Sequence, residues 1–118
     1  MDGVPDSPAD ALDGLTRDLA EVPAIEVVTA CAVNLMSAAA VKLGLAENGE
    51  HLRDLDEARR LIEALAGLVD GAGAYLSFHA APVKDGLRSL QLAFREASIV
   101  PDEPGQGPGE KYTGPVYG

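Results

Sequence analysis

From Val27 to Val41 the chain runs for fifteen residues without a charged side chain, and this stretch constrains the fold more than any other. A segment this apolar has to be covered by protein or by lipid. It is shorter than the ~20 residues that a membrane span needs, and Thr29, Asn34 and Ser37 interrupt it, so it reads as a core helix. Pro23 suits a first helical turn, and Ile25, Val27, Val28, Cys31, Leu35, Met36, Val41 and Leu43 carry the pattern to Gly44, which stops it. Gly44 followed by Leu45 fits a Schellman ending, with the glycine left-handed and Leu45 folded back on the last turn. The polar residues of this helix form only a narrow stripe through Glu26, Thr29 and Ser37. A neighbour on one side cannot cover the rest, so the expectation is a homodimer or larger homo-oligomer associating through this helix.

After a polar turn at residues 46–50, Asp54 with Glu57 three positions on reads as an N-cap and capping box opening a second helix. Leu55, Ala58, Leu61, Ile62, Leu65, Leu68, Val69, Ala72 and Leu76 then recur at helical spacing. Asp56/Arg60 and Arg59/Glu63 stand as opposite-charge pairs four residues apart on the other side. Gly67, Gly71 and Gly73 point either to close backbone approach, opposite Ala38-Ala39-Ala40, or to fraying. A third helix begins near Pro82 and presents Val83, Leu87, Leu90, Phe94 and Ala97 on one face. Advancing 100° per residue groups Lys84, Arg88 and Arg95 beside that stripe and turns Leu92 away from it, a basic strip around an exposed leucine suited to docking a partner.

The fold class expected is therefore all-α: a small antiparallel bundle of three main helices, about 23–44, 54–76 and 82–98. A short N-terminal helix through Leu12, Leu15, Leu19 and Val22 precedes it, and a disordered C-terminal tail follows. The organisation is an acidic N-terminal segment 1–22, a helical domain 23–100 and a Gly/Pro-rich tail 101–118. Only 4% of the residues are aromatic against 47% hydrophobic overall, and there is no Trp, which suits closely packed helices better than a β-sandwich.

The net charge of −10 is concentrated at the ends, with six acids against Arg17 in residues 1–22. Such ends repel nucleic acid and anionic lipid, so neither DNA nor a membrane is expected as a partner. The single cysteine, Cys31, is expected to be a buried, inert thiol. The first residues lack the basic end and apolar run of a secretory signal, and the expected location is the cytoplasm. His51 and His79 have no companion at a metal-ligand spacing, and no catalytic set is visible, so no metal, no cofactor and no enzymatic activity are expected. The stretch 105–113 departs from a phosphate-binding loop, because Glu110 separates Gly109 from Lys111 and Tyr112 separates Lys111 from Thr113.

The last eighteen residues include nine Gly or Pro, a composition that does not support a packed element. They also hold Tyr112, Pro115, Val116 and Tyr117, which together suit a linear motif laid into a partner's groove. The alternative is that the tail folds back over its own bundle. A non-enzymatic oligomeric protein displaying this tail and the strip Lys84, Arg88, Leu92 and Arg95 is the expected function. The other reading is a helical-bundle ligand binder or small enzyme with its site at an oligomer interface, for instance around His79 and Tyr75.

Four stretches together carry a resemblance: Leu35-Met36-Ser37-Ala38-Ala39-Ala40 leading to Leu43-Gly44-Leu45; Asp54-Leu55-Asp56-Glu57-Ala58-Arg59; His79-Ala80-Ala81-Pro82 continuing through Leu87 to Glu96; and Gly109 to Gly118 at the end. The set resembles the actinobacterial branch of the domain-of-unknown-function family numbered 1844, over roughly residues 22–118. The resemblance implies a small, helical, cytosolic protein and carries over no catalytic or binding residues. Genes of that family often lie near those for translation initiation factor three and two large-subunit ribosomal proteins. The resemblance therefore implies a link to the translation machinery, more easily reconciled with the acidic charge if a protein mediates it.

Overall fold

The computed structural model describes Thr16 and residues 19–117. The short helix read at the N-terminus falls largely outside the described residues. Among them there is no strand: the elements are α1 (Ala24–Lys42), a 3-10 turn (Glu50–Leu52), α2 (Leu55–Ala72), a second 3-10 turn (Ser77–His79), α3 (Ala80–Ala97) and a single helical turn, α4 (Glu110–Thr113). The all-α bundle of three main helices is as expected.

Local chemistry sets the boundaries. Pro23 precedes α1 in an extended conformation, and the helix ends in the Schellman geometry, with Gly44 at φ 77°, its N–H donating to the Val41 carbonyl and Leu45 N–H to the Ala40 carbonyl. Leu45 does not fold back as expected: it is exposed, and Leu43 is buried in its place. The turn that follows satisfies the remaining carbonyls of α1, since Asp54 N–H donates to Lys42 O at 2.7 Å and Arg53 Nε to Leu43 O at 3.1 Å. Asp54 caps α2 by accepting from Glu57 N–H at 3.2 Å. The reciprocal half of the capping box is absent, because Asp54 N–H is already committed to α1 and the Glu57 carboxylate turns to Arg60. α2 stops at Ala72 rather than 76, yet Leu76 remains in the core. α3 starts two residues before Pro82, which sits in the first turn where its missing N–H costs nothing.

α2 is the centre of the bundle. Its Ala58, Ile62, Leu65, Ala66 and Val69 are buried against Ala32, Ala39 and Leu43 of the α1 side and Val83, Leu87, Leu90 and Phe94 of α3. Close approach does occur at a glycine, but at Gly86 of α3, where a Cβ would come within 2.5 Å of Met36 Sδ on α1. Gly67 instead faces Tyr112 of the tail, and Gly71 faces open space, so the Ala38-Ala39-Ala40 run is not what these glycines meet.

Within α1 only Ala32 and Ala39 are buried. Val27, Ala30, Cys31, Val33, Asn34, Ser37 and Val41 are exposed. Cys31 is therefore not a buried thiol: it lies one residue round from Ala32, off the face that α2 and α3 cover. On the covered side, Thr29 Oγ1 is buried with no hydrogen-bond partner.

Replacing Thr29 by Val should raise stability by about 1 kcal/mol, because an unsatisfied buried hydroxyl is exchanged for a methyl of the same branching. Urea unfolding followed by circular dichroism checks this as a higher midpoint at unchanged m-value.

Candidate functional site

The tail is not disordered. It turns back at Pro101 and packs against α2 and α3, burying Gly107, Pro108, Gly109, Glu110 and Val116. What draws it in is a row of polar side chains beside the apolar stripe of α3. Arg95 donates from Nε to Glu110 Oε2 at 2.7 Å and from Nη2 to Glu110 Oε1 at 2.8 Å, a bidentate pair. The same guanidinium donates to the Asp102 carbonyl at 2.6 Å and the Glu103 carbonyl at 3.0 Å, and Gly105 N–H donates to Glu110 Oε1 at 2.9 Å. One turn back along α3, buried Gln91 donates from Nε2 to the Pro108 carbonyl and to Thr113 Oγ1, each at 3.1 Å. From α2, Arg59 holds the Asp102 carboxylate at 3.0 Å with its guanidinium carbon 4.9 Å from the Phe94 ring centroid.

The glycines of the tail serve tight turns. Gly105, Gly109 and Gly114 take positive φ. A Cβ on Gly109 would stand 2.7 Å from Ala66 Cβ, and one on Gly107 would collide with the Glu110 carboxylate. A Gly/Pro-rich composition thus builds a close-fitting loop once remote side chains supply the hydrogen bonds that the loop lacks internally.

The Glu110 side chain is fully excluded from solvent and that of Arg95 is 16% exposed. Burial alone would push the Glu110 carboxyl up. The Arg95 hydrogen bonds, the N–H groups of Gly105 and Gly107 and the Arg95 charge outweigh burial, and its pKa lies below the ordinary carboxylate value. The hydrogen bond to Glu110 raises Arg95 in turn.

This arrangement joins the two surfaces that sequence reading kept apart. Arg95 lies in the clasp, and Arg88 Nη2 donates to the Tyr117 carbonyl at 2.6 Å. Leu92 is half-buried in a hollow it shares with Pro104, Val116 and Tyr117. Lys84 remains exposed, as do Pro115, Tyr112 and Tyr117. The basic strip is therefore largely occupied by the chain's own tail, and the tail is not displayed as a free linear motif. The expected pairs Asp56/Arg60 and Arg59/Glu63 give way to Glu57–Arg60 and Arg59–Asp102, the latter made to a residue that the tail brings to α2.

Between α2, α3 and the tail lies an open cleft of about 420 Å³. Ala66, Val69, Leu87 and Val116 supply its apolar wall, and Asp70, Lys84, Arg88 and Tyr112 its polar border. His51 is exposed and His79 packs against Phe78 with ring centroids 4.4 Å apart. Among the described residues no three His, Cys, Asp or Glu side chains converge as a metal site would require. Sequence reading gave Gln91 and Asp102 no role, paired Arg59 with Glu63 and met Glu110 only as a break in a phosphate-loop pattern; the one available signal was Glu110, the sole acid between Pro104 and Gly118.

A family model described as a domain of unknown function, DUF1844, matches residues 24–96. No curated protein and no solved structure matches the chain.

Because Glu110 titrates lower in the native state than in the unfolded chain, its contribution is fully present above the ordinary carboxylate pKa of about 4.3 and is lost as pH falls through the native value. Glu110→Gln should lower stability by about 3 kcal/mol at neutral pH and flatten the acid limb of the stability profile, measured by denaturant unfolding across pH. Gly109→Ala should cost at least ~1–2 kcal/mol in the same assay, since the left-handed backbone and the Ala66 contact both oppose a side chain.

Proposed function

Since the chain belongs to the DUF1844 family, a family of unknown function, its role has to be read from its own surfaces, and we propose that it is a non-enzymatic interaction protein working as a homo-oligomer assembled through α1. The observation that carries this reading is the outer face of α1. Val27 and Val41 are each 39% exposed and Val33 48%, within a helix whose charged residues, Glu26 and Lys42, stand only near its ends. An apolar helix face left open on a small domain marks an interaction surface.

By length and composition Ala24–Lys42 is also apolar enough to cross a membrane. Its other face, however, packs along α2 and α3. A spanning α1 would draw Asp56, Glu63 and Asp70 of α2 toward hydrocarbon, where each charge costs ~2.5–3.5 kcal/mol or more. The Asn34 amide, the Ser37 hydroxyl and the acidic balance of the chain likewise suit a protein partner better than lipid.

Placement in the cytoplasm and in the actinobacterial branch follows the resemblance set out above, as does an association with the translation machinery through protein contact. The net charge of −10 makes direct RNA binding the less suitable route. The cleft bordered by Lys84, Arg88 and Tyr112 favours a second reading, a binder of a small ligand held between the tail and the bundle.

Sedimentation velocity of the full chain from low to high micromolar concentration should show a concentration-dependent dimer, and Val41→Glu should return it to monomer at unchanged helicity. A strictly monomeric wild type at high micromolar concentration overturns the reading. Co-sedimentation with ribosomes on a sucrose gradient tests the translation association separately.

A further inference from the structure

Taking self-association through α1 as given, we infer that the partner is a second copy of this chain laid antiparallel on the exposed α1 face, with Asn34 at the two-fold axis. Val27, Ala30, Asn34, Ser37 and Val41 follow one another at spacings of 3, 4, 3 and 4, the seam of a helix pair. All five are exposed. The small side chains Ala30 and Ser37 let a second helix come close, and no charge interrupts the seam.

The seam matches itself about Asn34 at its centre and at its two outer valines. Counting outward from Asn34, Cys31 and Ser37 stand three positions away on either side, Ala30 and Ala38 four, and Val27 and Val41 seven. An antiparallel copy therefore sets Val27 beside Val41, Ser37 beside Cys31 and Ala30 beside the half-buried Ala38, and each of these contacts occurs twice, as an isologous interface requires. A side chain at a two-fold axis has to be its own partner. Asn34 meets that demand, because its carboxamide both donates and accepts, so two copies exchange a reciprocal pair of hydrogen bonds.

Charge selects the direction. Glu26 and Lys42, the two charged residues of α1, stand eight positions to either side of Asn34. An antiparallel pair brings the end carrying Glu26 to the end of its partner carrying Lys42, and opposes the helix dipoles favourably. A parallel pair would gather the two glutamates at one end and the two lysines at the other. The fifteen uncharged residues make a face only about 22 Å long, so the interface belongs to the small, readily dissociating class.

The test uses the full chain with Cys31→Ser, carrying single cysteines at the seam and oxidised at high micromolar concentration. Asn34→Cys should give a covalent dimer by itself. Val27→Cys and Val41→Cys should cross-link to each other when mixed, with at least a tenfold excess over either alone. In the native background Asn34→Asp should weaken dimerisation at least tenfold at neutral pH, by placing two carboxylates at the axis, while circular dichroism stays unchanged. A dimer in which Val27→Cys links to itself overturns the antiparallel arrangement and leaves self-association standing. A wild-type chain that sediments as a monomer overturns both, and flotation of that monomer with anionic vesicles would assign the α1 face to lipid.

Discussion

The α2–α3 side of the molecule depends on the ion pair between Arg95 and Glu110. Taking a carboxylate wholly out of water costs several kcal/mol, and the cost is offset only where its lone pairs and the guanidinium protons are satisfied. Here Glu110 accepts from two nitrogens of Arg95 and from Gly105 N–H, and Arg95 spends its other donors on the carbonyls of Asp102 and Glu103. The geometry of the tail follows from this saturation. Residues 102–110 have to wrap around one guanidinium, which leaves no room for a side chain at Gly107 and demands a left-handed backbone at Gly109. Pro108 and Thr113 then fall where Gln91 reaches both.

The consequence is a molecule with two unlike sides. A groove between amphipathic helices is ordinarily where such a domain would meet a partner, but here the chain's own C-terminal segment fills much of it. The residues that looked most like a docking strip, Arg88, Leu92 and Arg95, are largely engaged internally. On the opposite side α1 is covered along one face and open along the other. Its open face is the more uniformly apolar surface, and the functional reading rests there.

Much of the helical layout was legible in the sequence, and the reasons are local. The Asp54 carboxylate finds its N–H three residues on, Gly44 has only to adopt a left-handed φ, and Val83, Leu87, Leu90 and Phe94 need only the helical repeat to share a face. The errors share the opposite property. Arg59 pairs 43 residues away rather than four, Gln91 bonds across 17 residues, and Arg95 meets Glu110 across 15. Cys31 was misplaced because a helix apolar on nearly every side does not declare which face its neighbours will choose.

The sequence by itself determined that there are three main helices, where α1 begins and ends and where α2 begins, and that α1 has more apolar surface than one neighbour covers. Hydrogen bonds at helix ends and hydrophobic periodicity act over a few residues, so they are written in short stretches of chain. Only the tertiary structure decided which face of α1 stays open and whether the Gly/Pro-rich tail orders. Glycine and proline suit a tight loop and a disordered tail equally well, and the choice falls to the loop only when Arg95, Gln91 and Arg59 arrive from other helices with the donors that its backbone and carboxylates require.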